Sequence, residues 1–368
     1  FGNIEWGKTP LTLERDVTYD FAEARIETSG LMFKSLSDLK EGTNTMTLLD
    51  ANGRAENLTE KSLSGESLKY TVGSGRAYLQ NGNIQYSIDL KDTFSKPQPQ
   101  KQTHMTVMGH EAGLTALIEG SDLVVRDLRA AREEKNALYG FVSSMGGANR
   151  YDTGSHLRTD LYNGHAGLGV RFATARGGEG ICALFFDYGH GNYHSYDAGR
   201  SGHGKIDYSG AGLFGQHRWE NQIFTEGSLR TGRLKNKSRH ALVDGEGNGY
   251  DYNTHSRYWA FHFGLGKTLE VARDDSVDLY GRYFYTHLGS DVFRAAGTYR
   301  LDGANSSLLR LGGQWNHAGR DSLYFAGLAY EYEFDGKASG LADEVPIRNA
   351  DIRGSSARFE VGGKWTKG

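Results

Sequence analysis

The chain has 368 residues and almost balanced charge, with 42 basic and 45 acidic side chains, which excludes a polyanion-binding protein and an acidic disordered tail. It contains 51 Gly but only 4 Pro and 1 Cys, and 38% of its residues are hydrophobic, a composition that favours strands and turns. No run reaches the roughly 18 to 20 apolar residues of a transmembrane helix, so a helical membrane protein is excluded.

Short alternating runs separated by Gly, Asn and Asp occupy residues 1–92, for example "TMTLL" at 45–49 and "NIQYSIDL" at 83–90. This spacing is typical of stacked short strands and predicts the last coils of a β-solenoid. "TFSKPQPQKQ" at 93–102 contains two of the four prolines and predicts an extended linker. Because the chain opens at Phe1 without a methionine or a signal sequence, we interpret it as an internal or processed piece.

A single helix is predicted for residues 103–135, where Ala, Leu, Val, Glu and Arg dominate and proline is missing. Its periodic part, about 28 residues long, would span ~40 Å, close to the thickness of a membrane with its interfaces. Charged residues lie all around this helix, so it cannot face lipid. Five of them are expected to lie inside the lumen of the β-barrel that the following residues predict: Glu111, Glu119, Asp122, Arg126 and Asp127.

From residue 136 to 368 the period changes to two. In "GHAGLGVRF" (164–172), for example, Leu168 and Val170 lie on one face while His165 and Arg171 lie on the other. About ten such strands are visible, each near the ~10 residues of a tilted membrane-spanning strand. Aromatic residues mark the ends of the apolar faces, as in a lipid belt. They are Trp219, Trp259, Trp315 and Trp365.

The links between these strands alternate in length. Four are short, including "TARGGEG" (174–180) and "RWENQ" (218–222), whereas others are long, including residues 189–205 and 233–256. Short periplasmic turns and long external loops are the signature of an outer-membrane β-barrel, and a soluble sandwich has no reason to alternate in this way. The first link is also expected to be long, which places the start of the first strand on the periplasmic side.

Arginine in the middle of "EGSLRTGR" (226–233) fits this architecture, because the lumen of such a barrel is polar. The helix has one compatible place, inside the barrel, with its N-terminal end outside. We expect inward-facing charged side chains to seat it through weak pairs in a wet lumen, and inward-facing glycines such as Gly167 and Gly212 to leave room for its backbone. The charged residues predicted to line the interior are Arg171, Glu226, Arg230, Asp278, Arg282, Arg310, Glu331, Glu333, Arg358 and Glu360.

The chain resembles the C-terminal part of a classical (type V secretion) autotransporter over residues 103–368. "GHEAGLTALIEGSDLV" is similar to the lumenal helix of that family, "EGSLRTGR" to its glutamate-serine-arginine-glycine strand, and "LYGRYFYTHLGSDVF" to a characteristic strand with its external loop. The resemblance implies an all-β fold, a transmembrane antiparallel β-barrel of twelve strands with a lumenal helix, preceded by the end of a β-helical passenger. It implies an outer-membrane translocator that anchors and helps to export its own passenger to the cell surface, and that is not an enzyme.

Two departures from the family pattern are visible. Members close their barrel with a strand ending on a terminal aromatic residue, whereas this chain stops at "GGKWTKG", so one hairpin is expected to be missing. Members that cleave their passenger inside the lumen use a helix asparagine, and none lies between Thr103 and Glu134. Self-cleavage in the lumen is therefore not expected.

The implied partners are outer-membrane lipid and lipopolysaccharide, the outer-membrane barrel assembly machinery and the chain's own passenger, with a monomeric barrel and no nucleic acid. No cofactor or metal is expected: "GAGLFG" (210–215) lies within a strand, and "DGEGNG" (244–249) lacks the glutamate of a calcium loop. Two other functions stay open. A passive porin would not need the helix, and an outer-membrane protease of the omptin type would use extracellular Asp and His residues. The candidates for that protease are His190, His194, Asp197, His203 and His255.

Overall fold

A computed structural model describes the backbone of most of the chain. The described residues are 3–23, 30–32, 39, 42–66, 70–89, 98–99, 101–132, 137–152, 156–174, 177–197, 200–243, 249–295, 297–319, 322–343 and 345–365. "DGEGNG" therefore lies almost wholly outside the described residues, as do most of the predicted linker and the last residues of the predicted helix region.

The N-terminal region is built from ten short strands. They are β1 Asn3–Glu5, β2 Leu11–Thr12, β3 Tyr19–Asp20, β4 Gly30–Met32, β5 Thr43–Asp50, β6 Ala55–Glu56, β7 Lys61–Glu66, β8 Tyr70–Gln80, β9 Asn83–Asp89 and β10 Gln98–Pro99. Four parallel ladders stack them, β1 on β4, β4 on β7, β2 on β5 and β3 on β6, an arrangement typical of a solenoid. The later pairs β7–β8, β8–β9 and β5–β9 are antiparallel. Buried Leu48, Ile84 and Tyr86 form the core of this region.

One long helix follows. It is α1, His104–Arg132, preceded by a 3₁₀ turn at Lys101–Thr103. Its 29 residues correspond to ~43 Å. Almost every side chain is buried, including acidic ones, and Arg126 and Ala130 are exposed. Within the described part of the chain, no helix combines the length and the apolarity that are needed to cross a membrane.

Residues 138–365 form a curled antiparallel sheet around α1. Ten strands follow one another in it: β11 Leu138–Asp152, β12 His156–Ala173, β13 Glu179–Asp197, β14 Arg200–Arg218, β15 Ile223–Val243, β16 Gly249–Glu270, β17 Asp275–Leu288, β20 Ala304–Ala318, β21 Ser322–Glu333 and β26 Gly354–Trp365. Each strand pairs with its neighbour in chain order, and among the described residues no ladder joins β11 to β26. The predicted antiparallel barrel sheet with a helix on its concave side is confirmed.

The two faces of the sheet differ as the alternation predicted. Large apolar side chains such as Val142, Leu168 and Phe186 are exposed on the convex face, and the concave face is buried against α1. Trp219, Trp259 and Trp315 are partly exposed, while the side chain of Trp365 lies outside the described residues. An exposed apolar band this extensive needs lipid to cover it.

The strands are longer than predicted, and several predicted loops are strand. β15 has 21 residues and β16 has 22, and together with β13 and β14 they include most of residues 189–205 and 233–256. The expectation of a long first loop is wrong, because β11 ends at Asp152 and β12 begins at His156. Alternation continues past the apolar band, where buried Tyr193 and Asn236 still face inward, so these hairpins extend the sheet beyond the membrane. We call this the hairpin end, and the opposite end, with its short connections, the turn end.

Six further short strands lie at the hairpin end. They are β18 Asp291–Arg294, β19 Thr298–Leu301, β22 Lys337–Ala338, β23 Gly340–Ala342, β24 Val345–Pro346 and β25 Ala350–Asp351. Their apolar residues, among them Phe293, Tyr299 and Ala342, share a core with Met108 and Leu114 of α1. These segments therefore cover the N-terminal half of the helix.

Inward glycines make room for rings of the wall, not for the helix. A Cβ added to Gly169 would lie 2.2 Å from the ring of Tyr139, its direct partner across the ladder, and one added to Gly212 would lie 2.4 Å from Phe185. The expected role of the wall glycines is thus wrong, because each ring lies flat across the neighbouring strand. We call these glycine–ring pairs; they are Tyr139/Gly169, Phe141/Gly167, Phe185/Gly212, Tyr208/Gly189, Tyr193/Gly204, Phe224/Gly266 and Tyr258/Gly232.

Candidate functional site inside the barrel

The helix brings its own glycines against the wall. Gly109, Gly113 and Gly120 share one helical face, because steps of four and eleven residues return to nearly the same angle. An added Cβ would lie 2.7 Å from Tyr193 Oη at Gly109 and 2.3 Å from Arg230 Nη1 at Gly120. Close approach of α1 to the wall therefore depends on this glycine face.

Arg230, in the middle of β15, connects that wall to the helix. Its side chain is 1% exposed, and its Nη1 donates to Asp187 Oδ2 at 3.0 Å. Nη2 donates to Ser121 Oγ at 3.0 Å and to the carbonyl oxygen of Leu117. Tyr258 Oη donates to the same Asp187 oxygen at 2.7 Å. A charge in mid-strand is thus matched by a wall carboxylate and by two groups of α1.

His165 joins the helix and the wall through two carboxylates. Its Nδ1 lies 2.5 Å from Asp127 Oδ2 on α1, and its Nε2 lies 3.2 Å from Asp187 Oδ1 on β13. All three side chains are buried. An imidazolium ring could donate to both carboxylates at once.

Asp122 is the helix carboxylate held by two arginines. Arg310 Nη2 and Arg358 Nη1 each donate to it at 2.7 Å. Arg310 also reaches Glu331 at 2.6 Å, and Arg358 reaches Glu360 at 2.7 Å. Four of the predicted wall residues and one of the predicted helix residues therefore meet in a single charged network.

Glu119 meets amides instead of arginine. Asn149 Nδ2 donates to its Oε1, and Asn163 Nδ2 lies 3.4 Å from its Oε2. Tyr208 Oη in turn donates to Asn163 Oδ1 at 2.6 Å. The helix is thus bonded to β11 and β12 at this level, and β14 supports the β12 partner through Tyr208.

A second charged cluster lies at the C-terminal end of α1. Arg132 donates to Glu226 Oε2 and to Asp278 Oδ2, both at 3.0 Å, and to Gln216 Oε1 at 2.9 Å. Arg282 Nε donates to the other oxygen of Glu226 at 2.5 Å. Because cations stabilise a helix C-terminus, this position of Arg132 also suits the helix dipole.

The expectation of weak pairs in a wet lumen is wrong for these residues. Asp187, Glu226 and Arg230 are no more than about 1% exposed at the side chain, because the helix packs directly on the wall. Breaking one partner of a buried pair costs about 3 to 5 kcal/mol, far more than the ~0 to 1 kcal/mol of an exposed pair.

Of the other predicted residues, Arg171 reaches the end of α1, where its Nη1 donates to the Arg132 carbonyl oxygen at 3.4 Å, and Glu111, Arg126 and Glu333 lie outside these networks. Glu111 is buried near the hairpin end and Arg126 is exposed, and neither forms an ion pair with the described residues. Arg171 pairs with Glu179 at 2.6 Å. Glu333 accepts from Ser306 Oγ and from the Ser307 amide, each at 2.6 Å.

Sequence reasoning missed several residues that seat the helix. Asn149 and Asn163 could have been noticed as polar residues on inward faces, whereas His165 was placed on its inward face by the alternation but was not predicted to contact the helix. The helix glycines could have been found from their shared face. Arg132 was not among the charged residues predicted for the helix. The one signal for it in the sequence is that basic residues favour the last turn of a helix.

The residues considered for a protease do not all meet in one site, although His194 and His203 are ladder partners with ring centroids 6.4 Å apart. Asp197 is held by His104 Nδ1 at 2.9 Å and by Arg348 Nη2 at 3.0 Å. His190 Nδ1 lies 2.5 Å from Asp207 Oδ1 on the convex face. The described side chains of His194, His203 and His255 are exposed there as well.

Comparison with known proteins gives one family and similar structures. A family model described as "Autotransporter beta-domain" matches residues 137–368. The beta domain of the Bordetella autotransporter BrkA is similar at 15% identity with a TM-score of 0.47, over 63% of this chain and 100% of that one. The translocator domain of the autotransporter NalP from Neisseria meningitidis is similar at 13% identity with a TM-score of 0.49, over 68% and 86%. No curated protein matches the chain.

Proposed function

The chain belongs to the autotransporter family, and from that premise we propose that α1 is a plug that the charged networks of the lumen hold in place. The protein is an outer-membrane translocator that exports its own passenger to the cell surface. The plug proposal adds what the lumen does once export has ended.

One observation carries this proposal: α1 occupies the concave side of the sheet along its whole length. His104 contacts Asp197 at the hairpin end, and Arg132 contacts Asp278 at the turn end. Between them, buried Arg230 and Asp122 fix the helix to opposite parts of the wall. A helix bonded at both ends and in the middle is held against the wall along its length, as a plug requires.

The domain bounds are part of the same proposal. Residues 1–92 are the C-terminal end of a β-helical passenger, 93–102 a linker, 103–135 the lumenal helix and 136–368 the barrel. The hairpin end faces outward, so the passenger lies at the cell surface. Val345, in a hairpin-end segment, shares the apolar core of the N-terminal region, which supports its docking there.

The finer statements on partners and chemistry belong to the same proposal. The barrel is inserted by the outer-membrane assembly machinery, contacts lipopolysaccharide and works as a monomer. It is not an enzyme, since α1 occupies the lumen and Asp197 is held by His104 and Arg348, apart from the histidines of the convex face. A porin is disfavoured by the same filling.

Reversing the charges of the helix tests the plug. Changing Glu119→Lys together with Asp122→Lys places cations against Arg310 and Arg358, so α1 should leave its seat. We expect single-channel conductance in planar bilayers to rise several-fold. The barrel should stay folded, as judged by its heat-modifiable mobility on a gel.

Arg126→Glu is the matched control, because this exposed helix residue forms no ion pair among the described residues. It should leave the conductance unchanged. An unaltered conductance in the Glu119→Lys, Asp122→Lys variant would count against the plug.

A further inference from the structure

The convex face carries a group of cations at the hairpin end. The group lies on the outer faces of β14, β15 and β16, and all its members are exposed. We call it the outer basic cluster; it consists of Lys205, Arg233, Lys235, Lys237 and Arg257.

The ladders place like charges directly opposite each other. Arg233 is the partner of Arg257, and Lys237 is the partner of Lys205. Like charges in this position destabilise a sheet. None of the five cluster members forms an ion pair within the described residues, so the strands by themselves offer no compensation.

Few acidic groups face the cluster. Asp207 is the ladder partner of Lys235, but its Oδ1 is hydrogen-bonded to His190 Nδ1 at 2.5 Å. Asp291, from β18, accepts from the His255 amide at one side, and Asp251 lies further out along β16. The middle of the cluster therefore keeps a net positive charge.

The cluster lies directly beyond the apolar band. Trp259 follows Arg257 by two residues on the same face of β16 and is the ladder partner of Thr231. Phe263 and Leu265 continue that face toward the turn end and are 56% and 52% exposed. Aromatic belts mark the depth of lipid headgroups, so the cations begin at headgroup depth and extend outward.

We propose that the outer basic cluster binds the phosphate groups of lipopolysaccharide, the phosphorylated glycolipid of the outer leaflet. This inference rests on the orientation given under the proposed function. One guanidinium group can donate two parallel hydrogen bonds to two oxygens of a phosphate. Arg233 and Arg257, which are ladder partners, present two guanidinium groups side by side. The Lys237/Lys205 row lies four residues further along β15, ~13 Å away, so the two rows suit a sugar that carries two phosphates. Its acyl chains lie over the band below, along Leu229 and Phe263.

Binding of lipid A to the full chain tests the site. The purified protein is titrated with bisphosphorylated lipid A, with dephosphorylated lipid A and with phosphatidylglycerol, and bound lipid is counted by native mass spectrometry. We expect the bisphosphorylated form to bind most tightly. Arg233→Gln with Arg257→Gln should weaken it by about 10- to 30-fold, as expected for two cations near an anionic headgroup.

The matched control is Arg158→Gln with Lys267→Gln, two exposed cations on the convex face outside the cluster. It should bind lipid A as the unchanged protein does. Equal binding of dephosphorylated lipid A or of phosphatidylglycerol, or equal weakening in the control, would overturn the site.

Stability gives a second readout that an ordinary structural role would not produce. Without lipid A, Arg233→Gln should raise the denaturant midpoint of the barrel, since it removes the repulsion from Arg257. With saturating lipid A the order should reverse. The same order in both conditions would contradict the proposal, and surface display of the passenger, measured separately, reports on the translocator function.

Discussion

Arg230 shows what alternation along a strand can and cannot predict about one residue. The pattern of β15 placed it on the inward face, and the structure buries it there. Its partners Asp187, Ser121 and the Leu117 carbonyl come from another strand and from α1. They could not be derived from sequence, because the stagger of the strands and the rotation of the helix decide which groups meet.

Replacing Arg230 by methionine should destabilise the barrel strongly. The variant leaves Asp187 buried without its guanidinium, and breaking a buried pair in this way costs about 3 to 5 kcal/mol. Urea unfolding in lipid vesicles measures the loss. Arg158→Met is the control: its side chain is 59% exposed beside Asp160, so it should change the free energy of unfolding by less than about 1 kcal/mol. If the Arg230 variant also lost less than about 1 kcal/mol of unfolding free energy, the Arg230–Asp187 pair would contribute little to stability.

His104 should make stability depend on pH at the hairpin end. It contacts Asp197, which lies nine residues beyond Tyr188 on β13 and hence ~30 Å along the strand, outside the membrane. Burial and the positive charge of Arg348 lower the pKa of His104 below 6.5, despite the opposing effect of Asp197. In the neutral ring with its proton on Nε2, Nε2 donates to the Asn349 carbonyl at 3.2 Å and Nδ1 accepts from Arg348 Nη2 at 2.9 Å. Asp197 Oδ2 then receives its hydrogen bond from Arg348 Nη2, at 3.0 Å, and not from the ring.

The sign follows from the lowered pKa. The unfolded chain takes up this proton first, so the stabilisation is complete above about pH 6.5 and is lost as the pH falls toward the folded-state pKa. Unfolding free energies at pH 8 and pH 5.5 should therefore differ more in the unchanged protein than in His104→Gln. The same pH dependence in both would show that another group is responsible.

At the scale of elements, the period of each segment was predicted better than the length and the boundaries of the strands. The helix was predicted for residues 103–135 and is observed at His104–Arg132, because a long charged segment without proline has few alternatives; residues 133–135 lie outside the described residues. The hairpins were cut short in the prediction, since polar outer residues such as Lys235 and Lys237 looked like loop. Outside the apolar band both faces of a strand carry polar residues. The alternation of apolar and polar residues that marks a strand in the sequence is therefore lost there.

The glycine–ring pairs can be tested within one strand. In β12, a Cβ at Gly169 would meet the Tyr139 ring at 2.2 Å, whereas one at Gly164 would meet its nearest atom at 3.6 Å, an ordinary contact. Gly169→Ala should therefore cost about 1 to 3 kcal/mol through overpacking, and Gly164→Ala should be nearly neutral. Urea midpoints of both variants decide this. Equal midpoints would mean that the ring moves aside freely.

At the scale of the whole molecule, the orientation of the sheet makes a topological prediction. A protease added to intact cells should cleave in the region before Thr103 and should not reach the turn-end connections such as residues 174–178. Cleavage at these connections in cells with a sealed outer membrane would reverse the orientation.

Passenger and barrel should also stay covalently joined. The helix lacks asparagine between Thr103 and Glu134, so tags at the two ends of the chain should appear in one band on a blot of outer membranes. A protease-deficient host serves as the control for external cleavage. Two fragments in that host would contradict the prediction.

The glycine–ring pairs have a consequence for how the strands find their alignment. If β11 slipped by two residues along β12, Tyr139 would face either Gly167 or Arg171, and Phe141 would face either His165 or Gly169. In each direction one of the two rings loses its glycine and meets a side chain instead. Only one register therefore places a glycine opposite both rings. A wrong register produces a clash as soon as two neighbouring strands pair, before the rest of the barrel has formed.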